Sequence, residues 1–146
     1  MTGWKNRDVS PTFTGLHHRD LSAQQMHDLL LLRFQVFVVE QDCPGYQDID
    51  GLDVTGDTHH VLGLDGDRVI ATARILPPNL AGPRVRIGRV VVDPAARGGG
   101  TGHALMREVL AVCARNWPDA EILLGAQARL EGYYRTHGFT PVGEVY

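Results

Sequence analysis

Val90-Val-Val-Asp-Pro-Ala-Ala-Arg97-Gly98-Gly99-Gly100-Thr101-Gly102-His103-Ala-Leu is the stretch on which the fold of this chain turns. The run Val85–Val92 leading into it is the most β-rich of the sequence and reads as a buried strand. Asp93-Pro94 ends that strand, and Leu105, Val109, Val112 and Cys113 then recur at helical spacing over Thr101–Asn116. Between strand and helix lies a loop almost without side chains. Glycines adopt positive φ at little cost and can turn successive N–H groups toward one point. Those donors stand at a helix N-terminus, where the dipole also favours negative charge. With the guanidinium of Arg97 at its rim, the loop reads as an anion site suited to a pyrophosphate.

The rest of the chain supplies a sheet around this unit. Residues 13–17 read as a short strand. Ser22 with Gln25 forms a capping box, and Met26, Leu29, Leu30, Arg33, Phe34 and Phe37 predict a core-facing helical stripe to about Val38. An acidic, turn-rich loop covers residues 41–57, a length at which loops often carry function. Residues 60–64 and Arg68–Leu76 flank Asp65-Gly66, a hairpin signal. A Pro/Gly loop over residues 77–83 precedes the decisive strand. Trp117-Pro118 breaks the following helix. Residues 121–125 read as a strand, 128–137 as a helix closed by Gly138, and 139–145 as a last strand. The fold class is therefore α/β. An antiparallel meander leads into a parallel strand–helix–strand unit, giving a mixed, mostly antiparallel sheet with helices on both faces.

With 146 residues, the chain is expected to form a single domain, residues 1–11 being a loose arm. Apolar residues at 43% and charged residues at 21% match a soluble globular protein. Cys43 and Cys113 lie far apart without a CxxC, so neither a disulfide framework nor a redox or zinc motif is expected, and a reducing cytoplasm is the expected location. A net charge of −3 provides no basic footprint for nucleic acid. No apolar run is long enough for a membrane span.

The glycine loop can be tested against known anion sites. A Walker A loop needs Gly-Lys-Ser/Thr, and Gly102 is followed by His103. A dinucleotide fingerprint is met by Gly98 and Gly100 but fails at His103, and Glu121 opens its strand instead of closing it. A nucleotide-binding α/β domain is therefore a weaker reading. By contrast, Arg97-x-x-Gly100-x-Gly102 after Val90-x-Val92-x-Pro94 resembles the acetyl-coenzyme A motif of the GCN5-related N-acetyltransferase (GNAT) superfamily. Gln127-Ala-Arg-Leu-Glu-Gly-Tyr133-Tyr134-Arg-Thr-His-Gly138-Phe139 is similar to that superfamily's closing Tyr-x-x-x-Gly-Phe. The segments Phe37-Val-Val-Glu-Gln-Asp-Cys-Pro, Tyr46-Gln-Asp-Ile-Asp-Gly and Leu124-Gly-Ala-Gln-Ala resemble the ElaA-type subfamily. The similarity spans roughly residues 20–146.

The resemblance implies an acetyl-coenzyme A-dependent N-acetyltransferase. Backbone groups of Val90, Val91 and Val92 would hold the pantetheine arm as an added strand, and Gly98, Gly99, Gly100, Thr101, Gly102 and His103 would cap the pyrophosphate beside Arg97. Gln127 stands where many members carry a cofactor-contacting asparagine. Tyr134 takes the place of the family's general acid, while Ile122 stands where some members carry a catalytic glutamate. A base is needed to deprotonate the attacking amine, and the candidates are Glu40, Asp48, Asp50, His59 and His60, with Glu40 assigned the catalytic place. Asp48, Asp50, His60, Arg74 and Arg89 are expected at the acceptor site. Arg74 and Arg89, set within apolar strands, need a partner, either a loop carboxylate or the acceptor itself. The acidic run from Asp48 to Asp53 lacks the third ligand and sixth-place glycine of a calcium loop, and no metal is expected. The partner is a small-molecule or peptide amine. Relatives of this type usually continue by one more strand beyond Tyr146, and an uncovered sheet edge raises the expectation of a homodimer. A non-catalytic acyl-coenzyme A-binding regulatory module is the alternative.

Overall fold

The computed structural model describes residues 11–125; the loose arm, the helix read at residues 128–137 and the strand read at 139–145 lie outside the described residues. The strands are β1 (Thr12–His17), β2 (His59–Asp65), β3 (Arg68–Leu76), β4 (Val85–Val92) and β5 (Ile122–Leu124). Their spatial order follows their order in the chain. β1 to β4 form an antiparallel meander, and β5 joins β4 in parallel. A parallel pair requires a crossover. It is provided by helix α2 (Thr101–Asn116), whose limits match those read from the sequence.

Among the described residues, the two α-helices cover opposite faces of the sheet. α2 lays Leu105, Met106, Val109 and Val112 on Val61, Ala71, Ala73, Ile75, Val85 and Ile87. Helix α1 (Ala23–Arg33) lays Leu29 and Leu32 on Leu62, Val69 and Val91. The start of α1 is fixed by the capping box seen in the sequence: Ser22 Oγ accepts from the Gln25 amide at 3.0 Å, and Gln25 Oε1 accepts from the Ser22 amide at 2.9 Å. Gly66, at φ +62°, makes the tight β2–β3 turn.

One element departs from the sequence reading. The periodicity predicts a helical stripe to about Val38, but α1 ends at Arg33 and the chain continues as a π-helix over Phe34–Glu40. Its wider turn is closed by the Gln41 amide donating to the Val36 carbonyl at 3.1 Å and the Cys43 amide to the Val38 carbonyl at 3.0 Å. The inward face nevertheless keeps three-to-four spacing from Leu29 through Leu32 and Arg33 to Val36. Val36 enters the core, whereas Phe34, counted in the stripe, is 51% exposed. The buried line is Leu29, Leu32, Arg33 and Val36.

Candidate active site on strand β4

Strand β4 outruns its partner. β5 pairs only with Val85, Arg86 and Ile87, so the rest of β4 has no β5 partner among the described residues. On the other edge, β3 follows β4 as far as Val92. The direction of the backbone groups follows from the ladder. The Asp93 amide donates to the Ile70 carbonyl at 2.8 Å, and Thr72 lies opposite Val91. Val91 and Asp93 thus turn toward β3, and by alternation the N–H and C=O groups of Val90 and Val92 turn toward the open side.

Between Arg74↔Gly88 and Thr72↔Val91 the register shifts, with Arg89 at φ +53°. This is a β-bulge, a device that re-aims a side chain and often lies beside active sites. Here it turns Arg89 toward the face covered by α1, while Val90 and Val92 stay packed toward α2.

Beyond β4 the glycine loop has the form expected. Asp93 Oδ1 accepts from the Ala95 amide at 2.9 Å and starts a single 3-10 turn, Pro94–Ala96. Gly98 takes φ +98° and Gly100 φ +80°, a region that L side chains rarely enter. Gly100 is the N-cap residue of α2, so Thr101, Gly102 and His103 form its first turn. A Cβ built on Gly98, Gly99 or Gly100 would meet nothing within 4 Å. The space before the loop is open. At its rim the Arg97 guanidinium donates from Nε to the Val92 carbonyl at 3.0 Å and from Nη2 to Glu40 Oε1 at 2.9 Å.

The bulge is anchored by a charged network on the α1 face. Arg33 donates to Asp48 Oδ2 at 2.8 Å from Nε and to Asp53 Oδ1 at 2.7 Å from Nη1. Arg74 donates to both carboxylate oxygens of Asp50, at 2.8 and 3.0 Å, and to Asp53 Oδ1 at 3.2 Å. Arg89 donates to the Asp48 carbonyl at 3.1 and 3.3 Å and to Asp50 Oδ2 at 3.3 Å, and its Nε lies 2.9 Å from Asp48 Oδ1. The Arg89 guanidinium also sits 5.6 Å from the centre of the Tyr46 ring. His60 Nε2 donates to the Asp53 carbonyl at 2.9 Å.

Three guanidiniums thus meet three carboxylates, and the environment sets their protonation. Burial opposes ionisation of Asp50, but the Arg74 hydrogen bonds, the Leu52 amide and the charges of Arg74 and Arg89 overcome it and hold the carboxyl at about 2. Burial also works against the charged form of Asp53, and Arg33 and Arg74 outweigh it to keep the carboxyl below its ordinary value. For His60 burial wins, lowering its pKa despite the bond to Asp53 and favouring the neutral ring.

Residues 23–139 match the model of the acetyltransferase (GNAT) family. The ElaA protein of Escherichia coli is 52% identical over 131 residues, 90% of this chain and 85% of that protein. The crystal structure of E. coli ElaA superposes with a TM-score of 0.88 at 50% identity, covering 93% of this chain and 91% of ElaA. An acyl-CoA N-acyltransferase from Pseudomonas aeruginosa superposes with a TM-score of 0.89 at 47% identity, covering 94% and 93% of the two chains. The chain belongs to the GNAT family. The mixed sheet with its two covering helices is accordingly a GNAT acyltransferase fold, and the ElaA-type resemblance read from the sequence holds over most of the chain.

Within this GNAT domain the residues singled out by sequence fall into two groups. Val90, Val92, Arg97 and the glycine loop line the open side of β4, with Glu40 brought to them by the π-helix. Val91 belongs to the same strand but turns its backbone to β3 and its side chain into the α1 core. Asp48, Asp50, His60, Arg74 and Arg89 come together in the charged network, each engaged by another member. Gln127 and Tyr134 lie outside the described residues. His59 stands apart on β2, its Nδ1 donating to the Asp57 carbonyl at 2.7 Å and its ring 5.3 Å from Trp117.

Two residues of the network escaped the functional reading. Arg33 was counted as part of an apolar stripe, and Asp53 only as the end of an acidic run. The available signal was a charge inside the stripe, since a buried guanidinium must find carboxylates. Among the described residues no group of three His, Cys, Asp or Glu side chains could hold a metal ion. No helix among them is long and apolar enough to cross a membrane.

Proposed function

We propose that the chain is an acetyl-coenzyme A-dependent N-acetyltransferase acting on a primary amine, small or peptide-borne, in a ternary complex. The observation that carries this reading is the open side of β4 running into the glycine loop. An amide-bearing arm can add to Val90 and Val92 as an extra strand, and the N–H groups of residues 98–103 with Arg97 suit the pyrophosphate. The cradle fits such a group, because nothing fills the space before Gly98, Gly99 and Gly100.

Acetyl-coenzyme A supplies the acyl carbon and a thiolate leaving group. The chain's own residues do the rest. A β4 amide facing the open side, that of Val90, donates to the carbonyl oxygen as negative charge develops on it. The amine nitrogen bonds to the carbonyl carbon, the carbon–sulfur bond breaks, and Tyr134 gives its hydroxyl proton to the departing sulfur. The amine attacks in its neutral form, and the proton its nitrogen sheds on acylation passes, directly or through water, to the Tyr134 phenolate and restores the hydroxyl. Asp48, Asp50, His60, Arg74 and Arg89 shape the acceptor side through the loop they fix. Glu40, one of the candidate bases, is held by Arg97 at the glycine-loop end of β4, whereas Arg89 marks the opposite end of the open edge.

The reading extends to a single domain over residues 1–146, a cytoplasmic location and pairing of two copies through a sheet edge, which sedimentation equilibrium checks. The function is tested by incubation with acetyl-coenzyme A and a panel of primary amines. Amine-dependent thiol release above hydrolysis, strongly lowered in Y134F with cofactor affinity retained, is the expected result. Tight cofactor binding without amine-dependent release would favour the regulatory module.

A further inference from the structure

We infer that Glu40 is an internal competitor for the cofactor's phosphates, holding Arg97 across the open edge of β4 until coenzyme A displaces it. The inference rests on the coenzyme A reading of that edge. Among the described residues the Arg97 guanidinium donates to two acceptors, and each contact occupies a group the cofactor would use. Its Nη2 is taken by the Glu40 carboxylate, an anion standing where a phosphate oxygen would otherwise pair with the guanidinium. Its Nε covers the Val92 carbonyl, one of the acceptors that β4 turns toward the open side. The Glu40 and Arg97 side chains are 38% and 46% exposed, so the guanidinium has room to swing away without disturbing the core.

Glu40 reaches this position because of the π-helix. It is the last residue of that segment, and the turn after it is fixed by the Asp42 amide donating to the Val39 carbonyl at 3.2 Å, with Asp42 at φ +52°. The pair therefore joins the end of the α1 region to the glycine loop, and binding of the cofactor exchanges a carboxylate for a phosphate at one guanidinium.

A half-exposed ion pair of this kind is worth about two- to fivefold in an equilibrium constant. Calorimetric titration of coenzyme A into the wild type, E40Q, R97Q and the double variant tests the exchange. Binding to E40Q is expected to be about two- to fivefold tighter than to wild type, and pantetheine, which lacks the phosphates, is expected to show a smaller gain. In R97Q the addition of E40Q is expected to change nothing, because the competitor acts through Arg97. Unchanged or weaker binding by E40Q overturns the inference. So does an equal gain in the R97Q background, which would mean plain charge repulsion between Glu40 and the cofactor. If wild type binds coenzyme A while E40Q gains nothing, only the competition fails. If wild type does not bind coenzyme A, the proposed function fails and the inference with it.

Discussion

Arg33 Nη1 lies 2.7 Å from Asp53 Oδ1, with both side chains almost closed off from solvent. The two residues are 20 positions apart, one on the last turn of α1 and the other in the loop before β2. That contact ties α1 to the loop carrying Asp48 and Asp50, and through them to the Arg89 bulge. Removing one member of a buried pair leaves the other charge uncompensated, at a cost of about 3–5 kcal/mol. R33M is expected to lose stability on that scale in urea unfolding. A loss well under 1 kcal/mol would show that the loop is held by something else.

Acid should loosen the same network in two stages. His60 has a pKa below its unfolded value near 6.5, so the unfolded chain binds the proton more readily. Its contribution is full above that value and is lost as pH falls through the folded pKa. Asp50, at about 2 when folded against 3.8 unfolded, contributes fully above 3.8 and loses its contribution as pH falls to about 2. Melting temperatures recorded from pH 7 to pH 2 are expected to decline through both windows. The lower decline should flatten in D50N.

Gly15 on β1 marks a close approach between sheet and helix. A Cβ placed there would run into Cγ2 of Val112 on α2. Overpacking of this kind typically costs about 1–3 kcal/mol. G15A is expected to melt at lower temperature, and V112A introduced beside it to recover part of the loss. Equal stability of G15A and wild type would mean that α2 can shift outward freely.

Gly100 tests the cradle without touching a charge. Its φ of +80° is strained for any L side chain, yet the space around it is open. G100A is expected to cost about 1–2 kcal/mol of stability through that backbone conformation. Because the loop then relaxes out of shape, coenzyme A affinity measured by calorimetry should fall as well. Retained affinity would remove the loop from the binding site.

The local elements were readable because their signals are local. β4, α2, the β2–β3 hairpin and the Ser22 capping box each carry their pattern within a few residues. The π-helix at Phe34–Glu40 was not readable, since an apolar stripe gives no warning that a turn will take an extra residue. The bulge was equally hidden, because the carboxylates of Asp48 and Asp50 that Arg89 meets there are distant from it in sequence. Pairing of Arg74 and Arg89 with loop carboxylates was among the alternatives raised by charge inside apolar strands. Only the fold shows that Arg33 and Asp53 complete the set. The link from Glu40 to Arg97 spans 57 positions and had no sequence signature at all.

The most direct test of the β4 edge and glycine loop as a coenzyme A site is thermal stabilisation of the intact chain by a ligand panel. Coenzyme A, acetyl-coenzyme A and longer acyl forms are compared with NAD and ATP at equal concentrations. Stabilisation rises with ligand concentration over Kd, so the coenzyme A compounds are expected to raise the melting temperature while NAD and ATP leave it close to that of the free protein. Stabilisation by NAD or ATP with none by coenzyme A would contradict the assignment of this site.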